Sequence, residues 1–284
     1  MTDIDYSNTS IIHPTPHASA NIKAKVSAAF DRAATTYEAR AQFQHRVCER
    51  LFSSLQSVRP KVAVSAGLRI LDGGCGTGYG ASLLRQYWPD AEIIACDLAP
   101  EMVRQTQARG VTAVCGDLER LPFADASFDV IWSSLALQWC DLSSAFSEFE
   151  RVLTHGGILI FTTLGQNTLH ELATAFGGDD GVGDGHRHIL PFVSGTHLEG
   201  VLSDAGFART SISCEDWMTR HSDFSSLLAT IRGIGANQVG ANRRRSLMGK
   251  TAWQSAKVRY EQVRGADGML PLTYEVMLGW AEKR

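Results

Sequence analysis

Three aspartates, Asp72, Asp97 and Asp117, end successive short apolar runs, and a glycine loop follows the first of them. In "ILDGGCGTGYG" (residues 70–80) glycines stand at 74, 76, 78 and 80, between a run that reads as a strand and one that reads as a helix. Without Cβ atoms, such a turn lets backbone N–H groups approach a ligand closely. The dinucleotide pattern G-x-G-x-x-G fits poorly. From Gly74 it meets Tyr79 at the third glycine, and from Gly76 it survives only through Ala81. Asp97, 19 residues after Gly78, stands where a carboxylate can accept both hydroxyls of a ribose. Asp117, 20 residues further on, could accept the exocyclic amine of an adenine. Asp72 would repel a pyrophosphate and suit a cation. Together the three acids predict a nucleoside that carries positive charge and no phosphate.

This arrangement resembles the class I S-adenosylmethionine-dependent methyltransferases over residues 68–164, through "ILDGGCGTG", "IIACDLAPEM" and "CGDLERLPF". The resemblance implies S-adenosylmethionine as cofactor, S-adenosylhomocysteine as product and no metal. It places Asp72, Gly74, Gly76, Gly78, Asp97, Leu98, Met102, Gly116, Asp117, Leu118 and Ser133 at the cofactor. Gly73 departs from the larger apolar residue usual there, and looser strand packing is expected from it.

The flanks "AAFDRAATTYEARAQFQ", "SSLALQWC", "FTTLGQNTLHEL", "IRGIGAN" and "LPLTYEVMLG" are similar to those of the malonyl-acyl-carrier-protein O-methyltransferase family of biotin synthesis. That similarity covers nearly all of the chain after Ala24. It implies methyl transfer to the free carboxylate of a malonyl thioester on acyl carrier protein or coenzyme A. A carboxylic acid with a pKa near about 4 is already ionised at neutral pH, so no general base is needed. Tyr37 and Arg232 are expected to donate to the carboxylate, with Gln138 and Trp139 bordering the methyl group. Arg232 stands where many members carry lysine, and "HRHILPF" replaces a more usual run. Alternatives are a methyltransferase for another small carboxylate or a quinone precursor, and a non-catalytic S-adenosylmethionine-binding regulator. His170, His186 and His188 beside Asp179, Asp180 and Asp184 are read as parts of a polar region, not as a metal site.

The elements that must position these residues follow from periodicity. Phe43, Val47, Leu51 and Leu55 recur every four residues and predict an amphipathic helix, preceded by a shorter one over residues 23–32. After Gly67, apolar runs alternate with helical stretches of about 10 residues, the pattern of βαβ units. The predicted fold is α/β, a Rossmann-like, seven-stranded, mostly parallel sheet with helices on both faces, an N-terminal helical cover and an inserted helical lid. Its expected parts are a disordered tail (1–20), the helical cover (21–60), the cofactor-binding core (61–222, with a lid loop at about 175–193), the basic insertion (223–266) and a final core strand (267–284).

Composition narrows the partners. The chain has 284 residues and is 44% hydrophobic, enough for one sizeable core. No apolar stretch approaches the roughly 20 residues of a membrane span, so a cytoplasmic protein is expected. The six cysteines show no close pairing and are expected to be reduced and buried. Between Asp223 and Arg264 eight basic residues face two acidic ones, in a chain of net charge −3. Arg243, Arg244, Arg245 and Lys250 are therefore expected to dock an acidic acyl carrier protein, with no role for nucleic acid or membrane.

Overall fold

In the computed structural model, the structure describes residues 16–58, 67–177, 192–233 and 250–284. Two helices open the described chain. Helix α1 (Pro16–Tyr37) is rich in alanine, the best helix former, and has proline at its first position, where no N–H is needed. It is longer than the helix predicted over residues 23–32, and its first turn lies in the stretch read as tail; residues 1–15 lie outside the described residues. Helix α2 (Gln42–Val58) buries Val47, Leu51 and Leu55, as its periodicity predicts.

Strands and helices then alternate: β1 (Arg69–Gly73), α3 (Tyr79–Tyr87), β2 (Glu92–Asp97), α4 (Pro100–Ala108), β3 (Thr112–Cys115), β4 (Phe128–Ser134), α5 (Leu142–Val152) and β5 (Leu153–Leu164). After these come α6 (His170–Gly177), α7 (Gly195–Asp204), β6 (Phe207–His221), α8 (Phe224–Gly233), α9 (Lys250–Glu261) and β7 (Leu270–Lys283). The seven strands form one sheet in the order β3-β2-β1-β4-β5-β7-β6. Strands β1 to β5 pair in parallel, and β7 runs antiparallel between β5 and β6. This is the predicted seven-stranded, mostly parallel α/β sheet.

Alternating side chains bury both faces of the central strands. Leu71, Ile131, Leu159 and Phe161 pack with α5 and α7 on one side. Ile70, Val130, Trp132 and Ile160 pack with α2, α3 and α4 on the other. A third apolar cluster joins α6, α8 and α9 to β7 through Leu172, Phe224, Leu227, Tyr260, Leu272 and Tyr274. Among the described residues no helix is long and apolar enough to cross a membrane.

Two expectations need correction. Only Cys48, Cys75 and Cys96 are buried; Cys140 is half-buried, and Cys115 and Cys214 are exposed because their strands form the two edges of the sheet. Gly73 does not loosen the packing. Leu118 and Phe149 fill the space above it, and a Cβ there would lie 3.3 Å from Leu118 Cδ2.

The core should respond to truncation accordingly. Phe146 is fully buried against Phe149 and Phe161, and Phe146→Ala is expected to cost about 3–5 kcal/mol, read as a lower urea midpoint. Val258→Ala, at a position 61% exposed, should change stability by no more than about 0.5 kcal/mol.

Candidate active site

The predicted cofactor residues converge at the carboxyl ends of β1 to β4, the place where open α/β sheets bind ligands. Gly74, Gly76 and Gly78 adopt φ values of 76°, 53° and 84°, which explains the alternation seen in the sequence. A Cβ on Gly74 would fall 2.2 Å from Ala136 Cβ, so the glycine loop and the turn after β4 lie in direct contact. No atom of the described residues lies within 4 Å of a Cβ built on Gly76, which leaves open space beside that backbone.

Asp97 holds this loop in shape. Its Oδ2 accepts from the Gly76 N–H and its Oδ1 from the Ala99 N–H, both at 2.9 Å. Burial raises its pKa, against the effect of those two donors. Asp72, in β1, is buried more deeply. Its pKa is pushed up to about 7 by burial, with Asp97 adding in the same direction and a hydrogen bond from the Ala81 backbone opposing. Among the described residues, Asp72 Oδ2 in β1, Ser133 Oγ in β4 and Gln138 Oε1 in the turn after it have no hydrogen-bond partner. Buried acceptors without donors fit a ligand that brings hydroxyls, an ammonium group and positive charge.

Leu98 is half-buried, and Met102 is buried in a small cluster with Ala34, Ala99, Phe30 and Tyr37. Gly116 is closely packed: a Cβ there would meet Cys96 Sγ at 2.8 Å. Leu118 is buried against the glycine loop. Asp117 is already engaged, since Lys23 Nζ lies 2.5 Å from its Oδ2. Lys23 was missed in the sequence, although its spacing to Ser27 and Asp31 on a helix was the available signal.

Tyr37 ends α1 and is half-buried. Burial raises the pKa of its phenol, and Asp97 and Glu38 add to the effect, so it stays protonated and can donate. Phe30 joins it to Trp139, with ring centroids 6.4 Å from Tyr37 and 5.7 Å from Trp139. Gln138 and Trp139 sit in a single 3-10 turn (Leu137–Trp139) after β4, where Gln138 Nε2 donates to the Leu135 carbonyl at 2.6 Å. Tyr37 and the Gln138–Trp139 pair, far apart in sequence, therefore share one end of the sheet. Arg232 falls in the last turn of α8, and its side chain lies outside the described residues. So do Arg243, Arg244, Arg245, the Lys250 side chain, and Asp179, Asp180, Asp184, His186 and His188. His170 is described, and its Nδ1 lies 3.0 Å from the Asn167 carbonyl oxygen.

The Asp72 shift has a testable sign. Between the ordinary aspartate value of 3.8 and about 7, the folded chain holds a proton that the unfolded chain has lost. Its contribution to stability is full below that window and is lost as pH rises through it. The melting temperature of the ligand-free protein is therefore expected to fall more steeply from about pH 4 to pH 7 than that of Asp72→Asn. Parallel curves would refute the shift.

Residues 71–161 match the family model described as a methyltransferase domain. The malonyl-[acyl-carrier protein] O-methyltransferase of Herminiimonas arsenicoxydans is 53% identical over 92% of this chain and 96% of its own length. The biotin biosynthesis bifunctional protein BioHC of Saccharophagus degradans is 35% identical over 92% of this chain and 46% of its own. Among solved structures, the YcgJ protein of Bacillus subtilis shares the fold, with a TM-score of 0.56, 19% identity, and coverage of 82% of this chain and 99% of that one. With sequence identity sustained through the helices outside the methyltransferase domain, the chain belongs to the malonyl-[acyl-carrier protein] O-methyltransferase family.

Proposed function

We propose that this protein is a cytoplasmic S-adenosylmethionine-dependent carboxyl O-methyltransferase that esterifies the free carboxylate of malonyl-acyl carrier protein for biotin synthesis. The observation that carries the reading is the meeting of Tyr37, Gln138 and Trp139 beside the acids and glycines at the strand ends. S-Adenosylmethionine, when bound, supplies a methyl carbon activated by a sulfonium. Asp97 would take the ribose, Asp117 the adenine edge, and Asp72 the positive end of the molecule. The backbone of Gly74, Gly76 and Gly78 would cradle it, with Leu98, Met102, Gly116, Leu118 and Ser133 as walls.

The protein's remaining work is to bring in an anion and align it. Asp72, Asp97 and Glu38 make this end of the sheet rich in acids, so a malonyl carboxylate needs donors of its own. Tyr37 supplies one as a neutral phenol, and Arg232 supplies a bidentate positive one. Alignment of oxygen, carbon and sulfur can contribute up to roughly 7–11 kcal/mol, and no side chain has to remove a proton. The acidic carrier protein docks on the basic run, at Arg243, Arg244, Arg245 and Lys250. Neither nucleic acid nor a membrane is required.

Incubation with methyl-labelled S-adenosylmethionine and malonyl-acyl carrier protein should give a base-labile methyl ester. Label reaching only malonyl-coenzyme A, another carboxylate or a quinone precursor would replace the proposed substrate, and ligand binding without turnover would mark a regulator. Arg232→Ala and Tyr37→Phe are each expected to lower kcat/KM by roughly tenfold or more while S-adenosylmethionine still binds. Charge reversal at Arg243, Arg244 and Arg245 should raise KM for the carrier-protein substrate far more than for malonyl-coenzyme A, and increasingly so at low salt. Equal losses on both substrates would exclude the docking role.

A further inference from the structure

The polar side chains of α1, with Glu38 just past its end, form a single stripe that reaches the loops after β1, β2 and β3. Lys23, Ser27 and Asp31 are four residues apart, and Ala34 and Glu38 continue the same line. After β3, Lys23 Nζ lies 2.5 Å from Asp117 Oδ2 and 2.6 Å from Glu119 Oε2. After β2, Ser27 Oγ donates to the Leu98 carbonyl at 3.2 Å. At the start of α4, Asp31 Oδ1 accepts from the Glu101 N–H at 2.9 Å. Ala34 packs on Ala99 and Met102. Just past the helix end, Glu38 accepts from the Thr77 hydroxyl in the glycine loop and pairs with Arg109 at 3.1 Å.

The ties differ in strength. Those of Ser27 and Asp31 are single hydrogen bonds, and Glu38 is exposed. Lys23 is the enclosed ion pair: its side chain is 17% exposed and one ammonium lies between two carboxylates. Burial lowers its pKa, but hydrogen bonds and charges from Asp117 and Glu119 outweigh that and raise it, so it stays charged. Removing that ammonium would leave two carboxylates facing each other under the helix.

We propose that α1 is a latch on cofactor exchange and that Lys23 is its positioning residue: the ion pair with Asp117 and Glu119 holds the helix across the strand-end loops, and S-adenosylmethionine or S-adenosylhomocysteine passes only when that pair opens. This rests on the reading that places the cofactor at Asp97 and Asp117. The latch also links the two halves of the reaction, because the helix that closes over the cofactor loops ends in Tyr37. An open latch withdraws the proposed donor to the carboxylate.

The test is the dissociation rate of S-adenosylhomocysteine from the full-length protein, followed by stopped-flow displacement at several salt concentrations. Lys23→Met is expected to release it about tenfold faster, and the salt dependence seen in the unmodified protein should be largely lost. Lys23→Arg should restore slow, salt-sensitive release. If Lys23→Met only lowers the melting temperature, with release rate and salt slope unchanged, the residue is structural and the proposal falls. Should Lys23→Met not fold, Glu119→Gln serves the same purpose: faster release supports the latch and unchanged release overturns it. Asp97→Ala separates the underlying reading, since full affinity for S-adenosylhomocysteine in that variant would show that the cofactor lies elsewhere.

Discussion

Burying negative charge at the ends of parallel strands is the constraint on which the rest of this structure depends. Asp72, buried, and Asp97, half-buried, lie at the carboxyl ends of β1 and β2, and burial raises the pKa of each. Such groups destabilise a fold unless donors or a cation meet them. Asp97 is met by the glycine loop and the start of α4, so its cost is offset by shaping the loop. Asp72 Oδ2 has no hydrogen-bond partner among the described residues. A fold that keeps this arrangement favours a positively charged ligand, whose arrival removes the penalty.

The same constraint explains why the helices before the sheet matter. Acids at the strand ends would repel one another and a malonyl carboxylate alike. Lys23 relieves the first problem at Asp117 and Glu119, while Tyr37 is a neutral donor whose pKa burial and nearby carboxylates raise further still. One helix thus carries a cation against the loops after β3 and ends in the hydrogen-bond donor proposed for the substrate carboxylate. The core beneath can be rigid, with Phe146, Phe149 and Phe161 packed on one face and Trp132 on the other.

Much of the fold was legible in the sequence, for physical reasons. Strands buried on both faces read as apolar runs, and helices between them read as periodic stretches, so β1 to β5 and their helices were visible. The alternating glycines announced the loop because L side chains rarely adopt the backbone angles found at Gly74, Gly76 and Gly78. Helix α1 was underestimated because its apolar positions are mostly alanine and its binding face is polar, which gives a weak periodic signal. Cys115 looks buried in the apolar context of "VTAVC", and only sheet order reveals that its strand is an edge.

By itself the sequence determined the chemistry of the ligand, because residue types at strand ends, three acids and a run of glycines, set charge and hydrogen bonding wherever the strands lie in parallel order. It also carried the family, through motifs on both sides of the common core. What tertiary structure decided was which of these groups are satisfied. That Asp117 is held by a lysine 94 residues away, that Asp72 keeps an oxygen unpaired among the described residues, and that Tyr37 meets Trp139 through Phe30 are all long-range facts. The first and third depend on where α1 lies against α4 and the strand-end loops, and local sequence patterns carry no information on such placements.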